Sequence, residues 1–107
     1  MKFESVLGSP TRYSFGDAVL AGWGDDGGML VPEAVPRVSS ATLSSWATLS
    51  YPQLLVELLK LFIPASDADV THAELDDIVT SSFARFGSSE VVELERVAAA
   101  GPGGSPL

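Results

Sequence analysis

The segment "SYPQLLVELLKLFIP", residues 50–64, contains the longest apolar run of the 107-residue chain and predicts a helix over 51–63. Ser50 suits the N-cap, Pro52 is tolerated in the first helical turn, and Pro64 ends the pattern. The polar residues of the segment cover only a narrow stripe of the helix (Gln53, Glu57 and Lys60). A helix that is apolar around most of its circumference needs cover on most sides, which a chain this small has difficulty supplying.

A second helix is predicted downstream, over 72–86. Thr71 and Glu74 have the spacing of a capping box, and Gly87 suits the C-terminal end. The face expected to be buried recurs at intervals of three and one residues (Leu75, Ile78, Val79, Ser82, Phe83 and Phe86).

The N-terminal half contains shorter elements. Ser14, with Asp17 three residues later, predicts a short helix over about 15–21 that ends at Gly22. Short strands are expected at KFESVL (2–7) and MLVP (29–32). A helical turn is expected around Trp46. The expected fold is therefore α+β, a small, mainly helical domain with one or two short strands.

The length points to one domain, with residues 1–97 folded and residues 98–107 a flexible Gly/Pro-rich tail. Within the domain, EVVELERV (90–97) is interpreted as either a strand or an extended arm. The start of the chain lacks the apolar core of a signal peptide, and no run is long enough to cross a bilayer.

The charge balance excludes several partners. With 14 acidic and 6 basic residues, the net charge of −8 has the wrong sign for binding nucleic acid or an anionic membrane surface. The chain has no cysteine, which excludes disulfides and thiolate nucleophiles and fits the cytoplasmic location that we expect.

The stretch "GWGDDGGML" (22–30) contains the G-x-G-x-x-G spacing of a dinucleotide-binding turn. In such sites a strand enters the turn and a helix leaves it, whereas here a helix is expected to precede the glycines and two prolines follow them. Asp25 and Asp26 would also repel a phosphate. We therefore interpret this stretch as a tight turn that leads into an extended segment.

Other candidate sites are weak. The acidic cluster around the only histidine lacks the spacing of an EF-hand loop and suits a helix N-terminus (Asp67, Asp69, His72 and Asp76). His72 itself is expected on the solvent side of its helix. Asp25 and Asp26 are expected in a solvated loop rather than as an acid–base pair, and Trp23 and Trp46 in the core. We predict no catalytic, cofactor-binding or metal-binding residue.

Three segments, in order and at the expected separations, resemble the N-terminal domain of threonine synthases, and especially of the threonine synthase-like proteins. They are the D-G-G-x-x-x-P element (26–32), the W-x-x-L-S-Y segment (46–51) and the F-x-R-F element (83–86). The resemblance covers residues 15–97. The usual S-T-R-G opening of the family is replaced here by ESVLGSPTR (4–12).

The resemblance implies an accessory domain of a lyase that acts on O-phosphohomoserine or a related amino-alcohol phosphate. In that family a larger body holds pyridoxal phosphate through a lysine in an F-K-D segment and a phosphate-binding loop. Neither segment occurs here, and the lysines of the chain are Lys2 and Lys60. The chain is therefore expected to be a fragment without catalytic activity or cofactor of its own, partnered by that body.

The alternative hypothesis is a free-standing acidic interaction module, which would bind a protein partner through the helix over 51–63.

Overall fold

The computed structural model describes residues 1–67, 69–87 and 90–98. Over these residues the chain forms a small α+β domain, as predicted. The elements in chain order are β1 (Phe3–Ser5), α1 (Phe15–Ala21), β2 (Leu30–Pro32), α2 (Ser40–Trp46), α3 (Tyr51–Lys60) and α4 (His72–Phe83). Residues 90–98 form neither helix nor strand, so the strand interpretation of 90–97 was wrong. The predicted tail, from residue 99 onwards, lies outside the described residues.

α1, α3 and α4 begin where the capping residues predict, and α2, whose start was not predicted, also begins after a capping serine. Ser14, Ser39, Ser50 and Thr71 each occupy an N-cap, and the side chain of each accepts a hydrogen bond from a backbone N–H of the first turn. Both α3 and α4 have a complete capping box. These bonds satisfy N–H groups that have no partner within the helix, which is why local sequence locates the starts well.

The two long helices, α3 and α4, end about one turn earlier than predicted, whereas α1 ends at Ala21 as predicted. α3 stops at Lys60 and its chain continues as a tight turn, in which the N–H groups of Phe62 and Ile63 both donate to the Leu59 carbonyl. α4 stops at Phe83 in the same manner, since the Phe86 N–H donates to the Phe83 carbonyl. Apolar residues continue at helical spacing through these turns, so the sequence pattern did not indicate where the backbone leaves the helix.

The apolar core lies between α3 and α4. The buried aliphatic residues are Val56, Ile63, Leu75 and Val79. Phe15, at the start of α1, packs against this cluster and also makes an edge contact with Phe3 of β1, with ring centroids 6.0 Å apart. This aromatic pair connects the sheet to the helical core.

Three residues of the predicted buried face of α4 were assigned wrongly, since Ile78, Ser82 and Phe86 are exposed. Ile78 and Phe86 are about half exposed, whereas Leu75 and Val79 are buried. The reason is that α3 covers a stripe of α4 narrower than its apolar face.

The strands pair antiparallel, with Phe3 opposite Pro32 and Ser5 opposite Leu30. A further bridge joins Phe3 to Tyr13 through two backbone hydrogen bonds of 2.9 and 3.0 Å. The sheet therefore brings the N-terminal segment against the turn that connects α1 to β2.

Candidate functional site

The turn between α1 and β2 contains the aspartates and glycines that the sequence singled out. Gly22 caps α1 with a φ of 74°, and its N–H donates to the Ala18 carbonyl. The turn then closes through a 2.8 Å bond from the Gly24 N–H to the Gly28 carbonyl and a 2.9 Å bond from Gly27 to Gly24. The predicted tight turn is confirmed, and a helix does precede it.

Asp26 connects this turn to the N-terminal segment. Its Oδ1 accepts from the Ser5 hydroxyl at 2.6 Å and from the Gly28 N–H at 3.0 Å, and its Oδ2 accepts from the Ser9 N–H at 3.1 Å. Ser5 is buried, and its hydroxyl oxygen also accepts from the Leu7 N–H at 3.1 Å. We call the group formed by Ser5, Ser9, Thr11, Asp25 and Asp26 the polar cluster.

Asp25 makes a separate set of bonds. Its Oδ2 accepts from the Thr11 hydroxyl at 2.6 Å, and its backbone N–H donates to the Tyr13 hydroxyl at 3.1 Å. The Ser5 hydroxyl therefore bonds Asp26, whereas the Thr11 hydroxyl bonds Asp25. The expectation of a solvated loop was nevertheless incomplete, because both side chains bind the N-terminal segment.

Hydrogen bonds lower the pKa of both aspartates. The Ser5 hydroxyl, followed by the Gly28 N–H, lowers the pKa of Asp26 below 3.8, and the Ser9 and Thr11 hydroxyls lower that of Asp25. These donors stabilise the charged form of each carboxylate.

Two glycines of the turn are explained by Ser5 rather than by a phosphate. A Cβ added at Gly24 would lie 2.9 Å from the Ser5 Cβ, and one added at Gly28 would overlap the Ser5 Oγ. The Gly28 N–H donates to the Asp26 Oδ1. Of the glycines in the G-x-G-x-x-G spacing, Gly24 therefore reflects close packing on β1, whereas Gly22 and Gly27 have positive φ values of 74° and 80°.

His72 does not lie on the solvent side of α4, as was predicted. It is half-buried, and its Nε2 lies 2.8 Å from the carbonyl oxygen of Ile63. Because a carbonyl only accepts, the ring nitrogen donates this bond. The prediction failed because the turn after α3 brings that carbonyl across the first turn of α4.

The acidic residues near His72 organise the loop between α3 and α4. Asp67 accepts from the N–H groups of Asp69 and Val70 at 2.9 and 3.1 Å, and Asp69 accepts from the Ser14 hydroxyl at 3.3 Å. Among the described residues no three potential ligands converge on one point as a metal site requires.

Neither lysine of this chain has the surroundings of a lysine that holds pyridoxal phosphate. That cofactor needs a lysine amine in an enclosed site next to a phosphate cradle. The Nζ of Lys60 forms a 3.0 Å ion pair with Glu57 one turn away on α3, and Lys2 is exposed near the N-terminus. The turn whose glycines resembled a phosphate cradle is occupied by Asp25 and Asp26.

A model of the family described as "Threonine synthase N terminus" matches residues 2–83. The chain belongs to this family. The match contains the polar cluster, the sheet and all of α1 to α4.

Curated relatives support the same assignment. The human and the Pongo abelii proteins named threonine synthase-like 2 are each 39% identical over 97 residues, which is 91% of this chain and 20% of theirs. The threonine synthase of Saccharomyces cerevisiae is 34% identical over 87 residues, 80% of this chain and 16% of its own length. This threonine synthase N-terminal domain thus spans about a fifth or less of those relatives. No solved structure matches it.

The threonine synthase N-terminal domain described here leaves many large apolar side chains exposed. In the N-terminal half they include Val6, Leu7, Leu20, Trp23 and Met29, so the expectation that Trp23 lies in the core was wrong. Trp46 is half-buried.

No helix in the described parts of the chain has the length and hydropathy to cross a bilayer.

Proposed function

We propose that this chain is the N-terminal accessory domain of a threonine synthase-like, pyridoxal phosphate-dependent lyase that acts on O-phosphohomoserine or a related amino-alcohol phosphate. The observation that carries the proposal is the family match over residues 2–83, together with relatives about five times the matched length. In this proposal the catalytic lysine and the phosphate-binding loop belong to the body that follows the matched region in those relatives.

The role proposed for the domain is to pack against that body and shape the entrance to its active site, without contributing catalytic groups. The exposed apolar side chains support a packing role, because large apolar patches on small domains mark contact surfaces. The ion-paired Lys60 and the ionised polar cluster support the absence of a cofactor site within the domain. We place the protein in the cytoplasm, in keeping with its lack of cysteine.

The alternative, an acidic interaction module that binds through the helix over 51–63, has less support. Val56 of α3 is buried against α4, and the exposed large apolar side chains of α3 are Tyr51 and Leu58. A groove-binding helix needs a longer row of exposed anchors.

The proposal is tested with a chimera of the S. cerevisiae threonine synthase, in which the matched 87-residue stretch is replaced by the aligned residues of this chain. We expect the chimera to form threonine from O-phosphohomoserine, and the same protein without the stretch to be inactive. An inactive chimera that is folded and still binds pyridoxal phosphate would contradict the proposal.

A second experiment examines the isolated chain. Added pyridoxal phosphate should give no absorption band of a specific internal aldimine, and a Lys60→Arg variant should behave like the unmodified chain. A defined aldimine that disappears in the Lys60→Arg variant would show that the domain holds the cofactor itself.

A further inference from the structure

Four exposed apolar residues lie within three sequence positions of a residue of the polar cluster, on backbone segments that are bonded to one another. They are Val6, Leu7, Trp23 and Met29, with exposed fractions of 57%, 68%, 62% and 58%. The Val6 N–H donates to the Met29 carbonyl at 3.0 Å, and Trp23 precedes Gly24, whose N–H donates to Gly28. We call these four residues the Leu7–Trp23 surface.

The polar cluster holds the Leu7–Trp23 surface in place. The Leu7 N–H donates to the Ser5 hydroxyl, which donates in turn to Asp26 in the same turn as Trp23. The carboxylates and hydroxyls of the cluster therefore satisfy one another, and no described buried side-chain polar atom lacks a hydrogen bond. Large apolar side chains on a backbone fixed in this way lose little further freedom on binding.

We propose that the Leu7–Trp23 surface is the site at which this domain docks on the catalytic body, rather than α3. This inference rests on the proposed function and specifies the contact it requires. The occupant is the part of the protein that corresponds to the four-fifths of the human relative beyond the match. Its docking patch should have an apolar centre and a basic rim.

The charge of the chain favours this occupant over a second copy. Two copies would bring a net charge of −8 against another −8, with Asp25 and Asp26 of each copy beside the contact. Like charges at an interface oppose association, whereas a basic rim would pair with these carboxylates.

The extent of the family match also favours this surface over the other apolar groove. That groove lies beside the edge-to-face rings of Tyr51, Phe83 and Phe86. Val91 of the same chain lines it, and Phe86, Gly87 and Val91 lie beyond residue 83, where the match ends. A contact common to the family should lie within the matched residues, and all four residues of the Leu7–Trp23 surface do.

The test uses the same S. cerevisiae chimera and compares it with the isolated 107-residue chain. Because the chain has no cysteine, one cysteine can be introduced at Leu7→Cys or Trp23→Cys, and at Val35→Cys or Leu43→Cys as controls of similar or greater exposure. The rate of alkylation of each introduced thiol is measured by peptide mass spectrometry in both contexts.

We expect the two thiols of the Leu7–Trp23 surface to react about tenfold or more slowly in the chimera than in the isolated chain, because docking must open before they react. The two control thiols should react at similar rates in both. Equal rates at Leu7→Cys and Trp23→Cys in an active chimera would overturn this docking surface but leave the proposed function intact. An inactive, folded chimera would overturn both.

A second copy as the occupant gives a different result. In that case the Leu7→Cys and Trp23→Cys thiols of the isolated chain would become protected as its concentration rises, and the docking proposal would be wrong.

Discussion

The two halves of this domain are held together by different interactions. Among the described residues of the C-terminal half, the buried ones are four aliphatic side chains between α3 and α4. In the N-terminal half they are Ser5, Gly24 and Gly28, and the large apolar side chains nearby are exposed. The difference shows that the helical pair is stabilised by apolar burial, whereas the sheet and its turn are stabilised by hydrogen bonds and close backbone packing. Several large apolar side chains of the N-terminal half are therefore left exposed.

The largest expected effect on stability tests the apolar core of the C-terminal half. Ile63→Ala removes the most completely buried side chain and leaves a cavity between α3 and α4, so the free energy of unfolding should fall by about 2–5 kcal/mol. Urea denaturation followed by circular dichroism measures it. The exposed Val35→Ala variant should differ from the unmodified chain by less than about 0.5 kcal/mol. Similar losses for both variants would mean that the helical pair has no specifically packed core.

The next effect tests the N-terminal half. Gly28→Ala places a Cβ against the Ser5 hydroxyl and the Leu7 side chain, and overpacking of this kind costs about 1–3 kcal/mol. Amide exchange should accelerate in β1 and β2 more than in α3 and α4. Gly87→Ala is the matched control, since a Cβ there meets nothing within 4 Å. Equal acceleration in both halves would show that they unfold as one unit.

A smaller effect is expected for the hydrogen bond between His72, at the start of α4, and the carbonyl of Ile63, in the turn after α3. His72→Phe keeps a ring but removes the donor to the Ile63 carbonyl, which should lower the free energy of unfolding by about 0.5–1.5 kcal/mol. Thermal unfolding measures the loss. His72→Gln, which can donate from its side-chain amide, should recover part of it. No change in His72→Phe would show that this bond contributes little to the C-terminal half.

The smallest expected effect is a loss of folding stability at acid pH. Because folding lowers the pKa of Asp25, Asp26 and Glu74, their stabilisation is present above the ordinary carboxyl pKa values of 3.8 and 4.5 and is lost as the pH falls through the lowered values. In the Asp26→Asn variant, amide exchange in β1 should lose the part of its pH dependence that comes from Asp26. Amide exchange at the start of α4 should keep its pH dependence. Glu74→Gln should do the reverse. A pH dependence unchanged in both variants would contradict these roles.

Local sequence predicted the helices well because their signals are local. The capping residues Ser14, Ser50 and Thr71 each bond a backbone N–H three residues away, so residue type and spacing were sufficient. The exposed side of α4 was predicted less well, because the position of Ile78 depends on how far α3 extends over it. The bond between His72 and Ile63 depends likewise on the turn after α3.

The polar cluster could not be predicted in this way. Asp26 and Ser5 are 21 residues apart, and Asp25 and Thr11 are 14 apart, so no local pattern connects them. The glycine spacing was noticed, but the close approach of Gly24 to Ser5 appears only once β1 pairs with β2. Nor does spacing indicate that Trp23 is exposed, because its position depends on which face of the turn packs on the sheet.

The sequence by itself determined the α+β class, the starts of the helices, the tight turn and the resemblance to threonine synthases, because each rests on residues a few positions apart or on motifs in order. The tertiary structure decided which apolar residues are covered and which remain exposed, and it brought Ser5 to Asp26. Burial and long-range hydrogen bonds arise only when distant segments pack together, so no single segment specifies them.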